Sequence, residues 1–326
     1  NKKDKKLLLE WGLEPKGYPT NLIIPQSLEK KYLEMDIEYD QLFSIHPKEI
    51  NFEEWCYLFG CDQNSEHALI LDKILDELKN QSYNIEDMIE KAQELFENDS
   101  YAKVVISKLE RAKKWGVFSE EAPPLRKIIM PNRINILDIS QLGLELGGWS
   151  TRSLVVGILA RKLLMYRIES RKIEEKEKVY GEDLRSTYKD YVPVTWMLID
   201  EAHQFLPAQG SNAATLPLLQ IIKIGREPGV SLVVATQMPY KLNTEAISQA
   251  DLVIAHRLTA KKDIHALSEI MQTYQRYDLA DYFDAMPREK GSAIILDDNS
   301  ERIYEVRMRP RKSWHAGESA IAIKEQ

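Results

Sequence analysis

Apolar residues along this chain recur with two spacings, and the changes between them mark its organisation. In the first fifty residues they come in short runs: Leu22-Ile23-Ile24 is stopped by Pro25, and Leu42-Phe43-Ser44-Ile45 is closed by Pro47. Such runs predict strands. From Phe52 to about Lys114 the spacing lengthens to three or four residues. Leu69, Leu71, Ile74, Leu75 and Leu78 are expected on one helix face, and Ile85, Met88, Ile89, Ala92, Leu95 and Phe96 on another. Asn84 followed by Asp87 reads as a helix entry, and Pro123-Pro124 ends the helical stretch.

A strand is predicted at 134–139, Ile-Asn-Ile-Leu-Asp-Ile, before Gly147-Gly148 breaks the chain. A long helix is then expected over 150–178. Its first half is apolar (Leu154, Val155, Ile158, Leu159, Leu163, Leu164), and the charged run from Glu169 reads as a solvated helix end. From Val192 strands (194–199, 231–236, 252–255) alternate with helices (213–224, 244–249, 261–271). A strand pair at 291–296 and 302–307 closes the pattern. Strands joined by helical crossovers predict an α/β fold with a mainly parallel sheet flanked by helices. Residues 1–45 read as the first part of that core and 46–125 as an inserted helical subdomain. Residues 126–300 read as the main core, and 301–326 as a basic C-terminal tail.

Composition narrows the function classes. At 326 residues and 44% apolar, the chain can bury one large core or two smaller ones. Its net charge of −7 gives no global attraction to nucleic acid, so any such contact needs a local basic surface. The tail offers one, with Arg302, Arg307, Arg309, Arg311 and Lys312 against the single acid Glu305. It reads equally as an exposed edge strand protected by charge. Cys56 and Cys61 fit neither a zinc pattern nor a disulfide framework, so a reducing, cytoplasmic setting is expected. No apolar run reaches the roughly 20 residues of a membrane span, and Glu10 cuts short any secretory signal.

The candidate chemistry lies at strand ends. Trp196-Met197-Leu198-Ile199-Asp200-Glu201 is an apolar strand running into two acids, at the edge where open α/β sheets bind ligands. In nucleotide hydrolases the first such acid serves Mg²⁺ and the second polarises the attacking water. Read alone, the stretch is equally a core strand followed by an acidic helix start. The next strand ends in Thr236-Gln237, neutral hydrogen-bonding groups that can sense a terminal phosphate. By itself that pair is turn chemistry before Pro239. Arg226 closes the intervening helix, where it either compensates the helix dipole or reaches a neighbouring subunit's phosphate.

In combination these segments resemble the HerA-type ATPases, the DNA-translocating branch of the HerA/FtsK superfamily with a RecA-like P-loop fold. The resemblance runs over 130–315 through Ile136-Leu137-Asp138-Ile139-Ser140, Ile199-Asp200-Glu201-Ala202-His203-Gln204-Phe205-Leu206-Pro207, Gly225-Arg226, Ala235-Thr236-Gln237-x-Pro239 and Arg307-x-Arg309-Pro310-Arg311. Residues 15–125 resemble the family's helical insert with fewer specific motifs. The resemblance implies ATP and Mg²⁺, with Asp200 on the metal side and Glu201 as catalytic base. It implies Gln237 as phosphate sensor and Arg226 as a finger donated in trans. Thr236, Arg309 and Arg311 become nucleotide contacts, the tail braces the adjacent protomer, and His203 is structural or coupling. It further implies a homo-oligomeric, hexameric ring on double-stranded DNA serving a nuclease in DNA processing or antiviral defence, with 208–215 as a DNA-facing loop.

One departure is large. The phosphate-binding G-x-x-x-x-G-K-[ST] is absent, and no Gly-Lys dipeptide occurs in the chain. In the family that loop precedes the region where this chain starts, so a fragment is expected, the start at Asn1 favouring it over a remnant unable to hold ATP. The alternatives to a motor are a non-catalytic RecA-like scaffold that recruits an effector nuclease, and a module that only binds DNA.

Overall fold

A computed structural model describes residues 2–142, 148–181, 183–185, 187–188, 191–270 and 279–313. In chain order, α1 (Lys2–Glu10) precedes β1 (Thr20–Pro25), α2 (Glu29–Glu34) and β2 (Gln41–Phe43). Four helices follow, α3 (Phe52–Phe59), α4 (Glu66–Leu78), α5 (Ile85–Leu95) and α6 (Ser100–Lys114), then α7 (Leu125–Ile128) and β3 (Ile134–Leu137). The long α8 (Gly148–Tyr180) leads to β4 (Thr195–Ile199), α9 (Thr215–Ile224), β5 (Val230–Val234) and α10 (Thr244–Ser248). The chain ends through β6 (Leu252–His256), α11 (Lys261–Ile270), α12 (Leu279–Ala285), β7 (Ser292–Asp297) and β8 (Arg302–Arg307). It forms two compact units, residues 21–249 and residues 1–20 with 250–326.

The larger unit owes its helical layer to strong local signals. Asn84 and Asp87 form a reciprocal capping box at the start of α5, with side-chain-to-backbone bonds of 3.0 and 2.8 Å. A second box, Asn51 with Glu54, starts α3. Each satisfies helix-end N–H groups and contributes about 1 kcal/mol. Leu71, Ile74 and Leu78 of α4 are buried with Met88, Ala92, Val105 and Leu109 in one apolar core. The expected α4 face is corrected at one position: Leu69 points out, and Ala68 and Ile70 take the inner positions.

The parallel expectation is met by two small sheets. β1 pairs in parallel with β2 and has β3 on its other side, while β4 pairs in parallel with β5 from Thr195↔Val230 to Ile199↔Val234. α8 lies against α9, and Gly157 makes the close approach possible: a Cβ there would sit 2.3 Å from the Ala213 carbonyl oxygen. The charged end of α8 is not wholly solvated as expected. Ser170 and Glu174 are buried, as is Arg167 just before the run, because this face packs under the segment entering β4 and the turn after α9.

Parallel sheets normally carry cover on both faces. Here one face of β4–β5 is open: Val194, Trp196 and Leu198 are 61, 65 and 71% exposed, and Val233 of β5 lies beside them.

The smaller unit is an antiparallel sheet in the order β6-β7-β8. Its edge strand β8 carries the basic tail. Arg307 there pairs with Glu289 at 3.1 Å and lies 5.5 Å from the Trp11 ring centroid, within the same unit.

Candidate nucleotide hydrolysis site

The C-terminal edge of β4–β5 gathers the strand-end residues. Backbone bonds from Ala235 N to Ile199 O and from Ala202 N to Ala235 O, both 2.9 Å, continue the pairing past the strands. They fix Asp200–Ala202 against Ala235–Gln237. Glu201 follows in the left-handed region, at φ 48° and ψ 44°. For a residue with a Cβ that conformation costs on the order of 1–2 kcal/mol. Its backbone N–H is held by its neighbour, Asp200 Oδ1, at 2.9 Å.

The Glu201 side chain is clasped from two sides. Gln237 Nε2 donates to Glu201 Oε1 at 2.7 Å. His203 Nδ1 lies 3.5 Å from Glu201 Oε2 and 2.9 Å from Thr236 Oγ1. That hydroxyl also accepts from Met238 N at 3.0 Å. Asp200, Glu201, His203, Thr236 and Gln237 therefore form one constellation. Glu201 is half-buried, while Asp200 and Gln237 face solvent. His203, expected to be structural or coupling, joins the cluster through Thr236 and Glu201.

Chemically, the Glu201 side chain is held by the Gln237 amide, so a group that engages that amide competes for this bond. Asp200 commits one oxygen to the Glu201 N–H, and its exposed carboxylate suits a hydrated cation. No group of three His, Cys, Asp or Glu able to hold a metal occurs among the described residues. Mg²⁺ does not need one, since it is held by one or two carboxylates with substrate phosphates and water.

Arg226 lies elsewhere. It is exposed at the turn after α9, beside an open hollow of about 410 Å³ lined by Lys223, Ile224, Arg226 and Glu227. This turn stands at the beginning of β5, whereas Gln237 lies beyond its end. Five strand residues separate the two ends by about 17 Å, so Arg226 cannot meet Glu201 of its own chain. Arg309 and Arg311 belong to the smaller unit and are exposed, and Arg309 Nη1 donates to the carbonyl of the next residue, Pro310, at 3.2 Å. Of the loop at 208–215, only 208–211 is fully exposed. Ala213, Ala214 and Thr215 are buried, with Thr215 Oγ1 donating to Phe205 O at 3.0 Å.

A second acid at a strand end, Asp138 after β3, is occupied structurally. It accepts from Ser140 N and from the Tyr32 hydroxyl. Burial first, and then this acid, push the Tyr32 phenol up to about 12.

The chain is similar to known proteins in sequence and in fold. Residues 14–162 match the family model described as "Helicase HerA, central domain". The probable DNA double-strand break repair helicase HerA of Methanocaldococcus jannaschii is 30% identical over 142 residues, 40% of this chain and 27% of that protein. The DNA double-strand break repair helicase HerA of Pyrococcus furiosus is 27% identical over 176 residues, 52% of this chain and 31% of that one. The alignments thus take in less than a third of either relative. VirB4 of Thermoanaerobacter pseudethanolicus superposes with a TM-score of 0.55 at 12% identity, over 94% of this chain and 85% of VirB4.

The α/β, RecA-like fold and the similarity to HerA helicases expected from the sequence are both borne out. The family model nevertheless falls mainly on the strand and helical part, where sequence motifs were fewest.

Proposed function

From the similarity of this chain to HerA helicases, we propose that it is the greater part of a RecA-like motor core, in an ATP-driven DNA translocase that works as a homo-oligomeric, hexameric ring. The carrying observation is the strained Glu201, clasped by Gln237 and His203 at the edge of a parallel sheet. In this reading Asp200 holds hydrated Mg²⁺, and Glu201 takes a proton from the water that attacks the γ-phosphorus. The new oxygen–phosphorus bond replaces the bond to the β-phosphate oxygen. Gln237 and Thr236 read the terminal phosphate, and loss of that phosphate reaches Glu201 through the Gln237 amide. Arg226, too far from its own Glu201, serves the neighbour's site. Arg309 and Arg311 contact nucleotide or the adjacent protomer, and 208–211 faces double-stranded DNA.

The phosphate loop has to come from a strand–helix unit outside this sequence. The free edge of β5 suits such a strand, and the exposed row of Val194, Trp196 and Leu198 suits its helix. A nuclease partner in DNA processing or antiviral defence completes the proposal.

The lack of any G-x-x-x-x-G-K-[ST] favours one rival, a scaffold that assembles and recruits a nuclease without hydrolysing ATP. ATP binding and DNA-stimulated hydrolysis by the full-length gene product separate the two. The motor binds ATP and turns it over faster on duplex DNA, whereas a product that assembles without binding ATP is the scaffold.

A further inference from the structure

Arg167 of α8 is fully buried and has no part in the chemistry above. A guanidinium held in the interior needs acceptors for its donors, and the acceptors here come from three places. Arg167 Nε donates to the Pro228 carbonyl at 2.7 Å, across 61 residues of sequence. Nη1 donates to Glu174 Oε1 at 3.0 Å and to the Val192 carbonyl. Glu174 also accepts from the Tyr191 hydroxyl at 3.0 Å, and Ser170 Oγ accepts from Val192 N at 2.9 Å.

Both of those carbonyls belong to consequential segments. Val192 opens the stretch that becomes β4 and ends at Asp200-Glu201. Pro228 lies two residues after Arg226. The turn from Gly225 to Gly229 is tight: Gly229 N and Val230 N both bond Gly225 O, at 3.0 and 2.8 Å. A Cβ on Gly225 would lie 2.4 Å from Ile221 O and 2.6 Å from Val230 O. Gly225 and Pro228 are buried, while Arg226 and Glu227 project. The turn is therefore a pedestal for two exposed residues, clamped from beneath by Arg167. Its fork is suited to this work because it spans several fixed acceptors, which a lysine ammonium cannot match.

We propose that Arg167 is a positioning residue for the intersubunit arginine: through the Pro228 and Val192 carbonyls it sets where Arg226 stands relative to the strand that carries Glu201. The inference rests on the motor reading, in which Arg226 acts on the neighbouring site. Arg167 touches no substrate, and its effect passes through Arg226.

The test is a double-mutant cycle in the full-length gene product, scored by kcat and KM for ATP on duplex DNA, with thermal unfolding and ring assembly measured alongside. A displacement near 1 Å at a positioned group lowers a rate by about 100-fold. Arg167→Lys is accordingly expected to lower kcat about 100-fold while KM changes less than about twofold. In an Arg226→Ala background it should change kcat by less than about twofold, since coupled residues are non-additive. Glu174→Gln keeps a carbonyl acceptor for Arg167 and should give a smaller loss, absent again in the Arg226→Ala background. It carries the test if Arg167→Lys does not fold.

A folded Arg167→Lys with full kcat, or an undiminished loss on top of Arg226→Ala, overturns the proposal and leaves the motor reading intact. An Arg226→Ala variant with unchanged kcat instead removes the intersubunit role itself.

Discussion

Truncating Glu174 to alanine leaves the Arg167 guanidinium buried beside two carbonyls with no counter-charge. The pair is among the most enclosed of the described residues, with side chains 1 and 9% exposed at 3.0 Å. Breaking a buried ion pair from one side costs about 3–5 kcal/mol, because the remaining charge is uncompensated. The Tyr191 hydroxyl loses its acceptor as well. For a unit of this size each kcal/mol moves Tm by about 2–4 °C, so the transition of residues 21–249 should fall by about 6–20 °C. Scanning calorimetry or urea unfolding followed by tryptophan fluorescence measures it.

Acid pH provides an internal check. Burial alone would raise the Glu174 carboxyl, but hydrogen bonds from Arg167 and Tyr191 and the nearby Arg167 charge bring it below its ordinary value. A carboxyl depressed in the folded state contributes stability that is present above its unfolded pKa, about 4.3, and is lost as pH falls through the folded value. The gap between wild type and Glu174→Ala should therefore narrow below about pH 4. Asp76→Ala removes an exposed bridge to Lys79 of 2.7 Å and should leave the transition where it was. A loss below about 1 kcal/mol for Glu174→Ala at pH 7, or a gap that widens in acid, would refute the reasoning.

Two further outcomes concern the Cys56 thiol and the exposed row on β4. Burial first, and then the neighbouring Cys61, push the Cys56 thiol up to about 12. Iodoacetamide at pH 8 should label the folded chain once, at the more exposed Cys61, and reach Cys56 only on unfolding; mass spectrometry of digested peptides reads this directly. Replacing Trp196 and Leu198 by serine removes apolar surface that already faces water. It should cost the isolated chain less than about 0.5 kcal/mol in urea unfolding while destabilising the full-length product, where the phosphate-loop helix covers that row, by more than about 1 kcal/mol.

Much of this fold follows from local rules that a sequence displays. Proline-closed runs, the Asn84–Asp87 spacing and the apolar first half of α8 each became the expected element, because strand period, capping and helix period act over a few residues. The site was legible in part for the same reason. Asp200-Glu201 and Thr236-Gln237 end neighbouring parallel strands, and a parallel pair brings its two carboxyl ends together.

Other features depend on distant partners. The Arg167 fork answers to a carbonyl 61 residues away, so the charged run of α8 looked solvated. The left-handed backbone at Glu201 follows from how Ala202 is pinned to Ala235, and no residue type announces it. Leu69 matched the helical period but fell outside the face that α5 and α6 cover.

In the proposed motor, Glu201 is the base of a phosphate site shared between protomers. The decisive measurement is ATP binding and DNA-stimulated hydrolysis, side by side, on the Glu201→Gln full-length product. Glutamine keeps the size and the amide contacts but cannot take a proton. The expected result is ATP affinity within about twofold of wild type and turnover lowered by at least about 100-fold, the lower end of what a positioned base supplies. Turnover at the wild-type rate with intact ATP binding would remove Glu201 from that role.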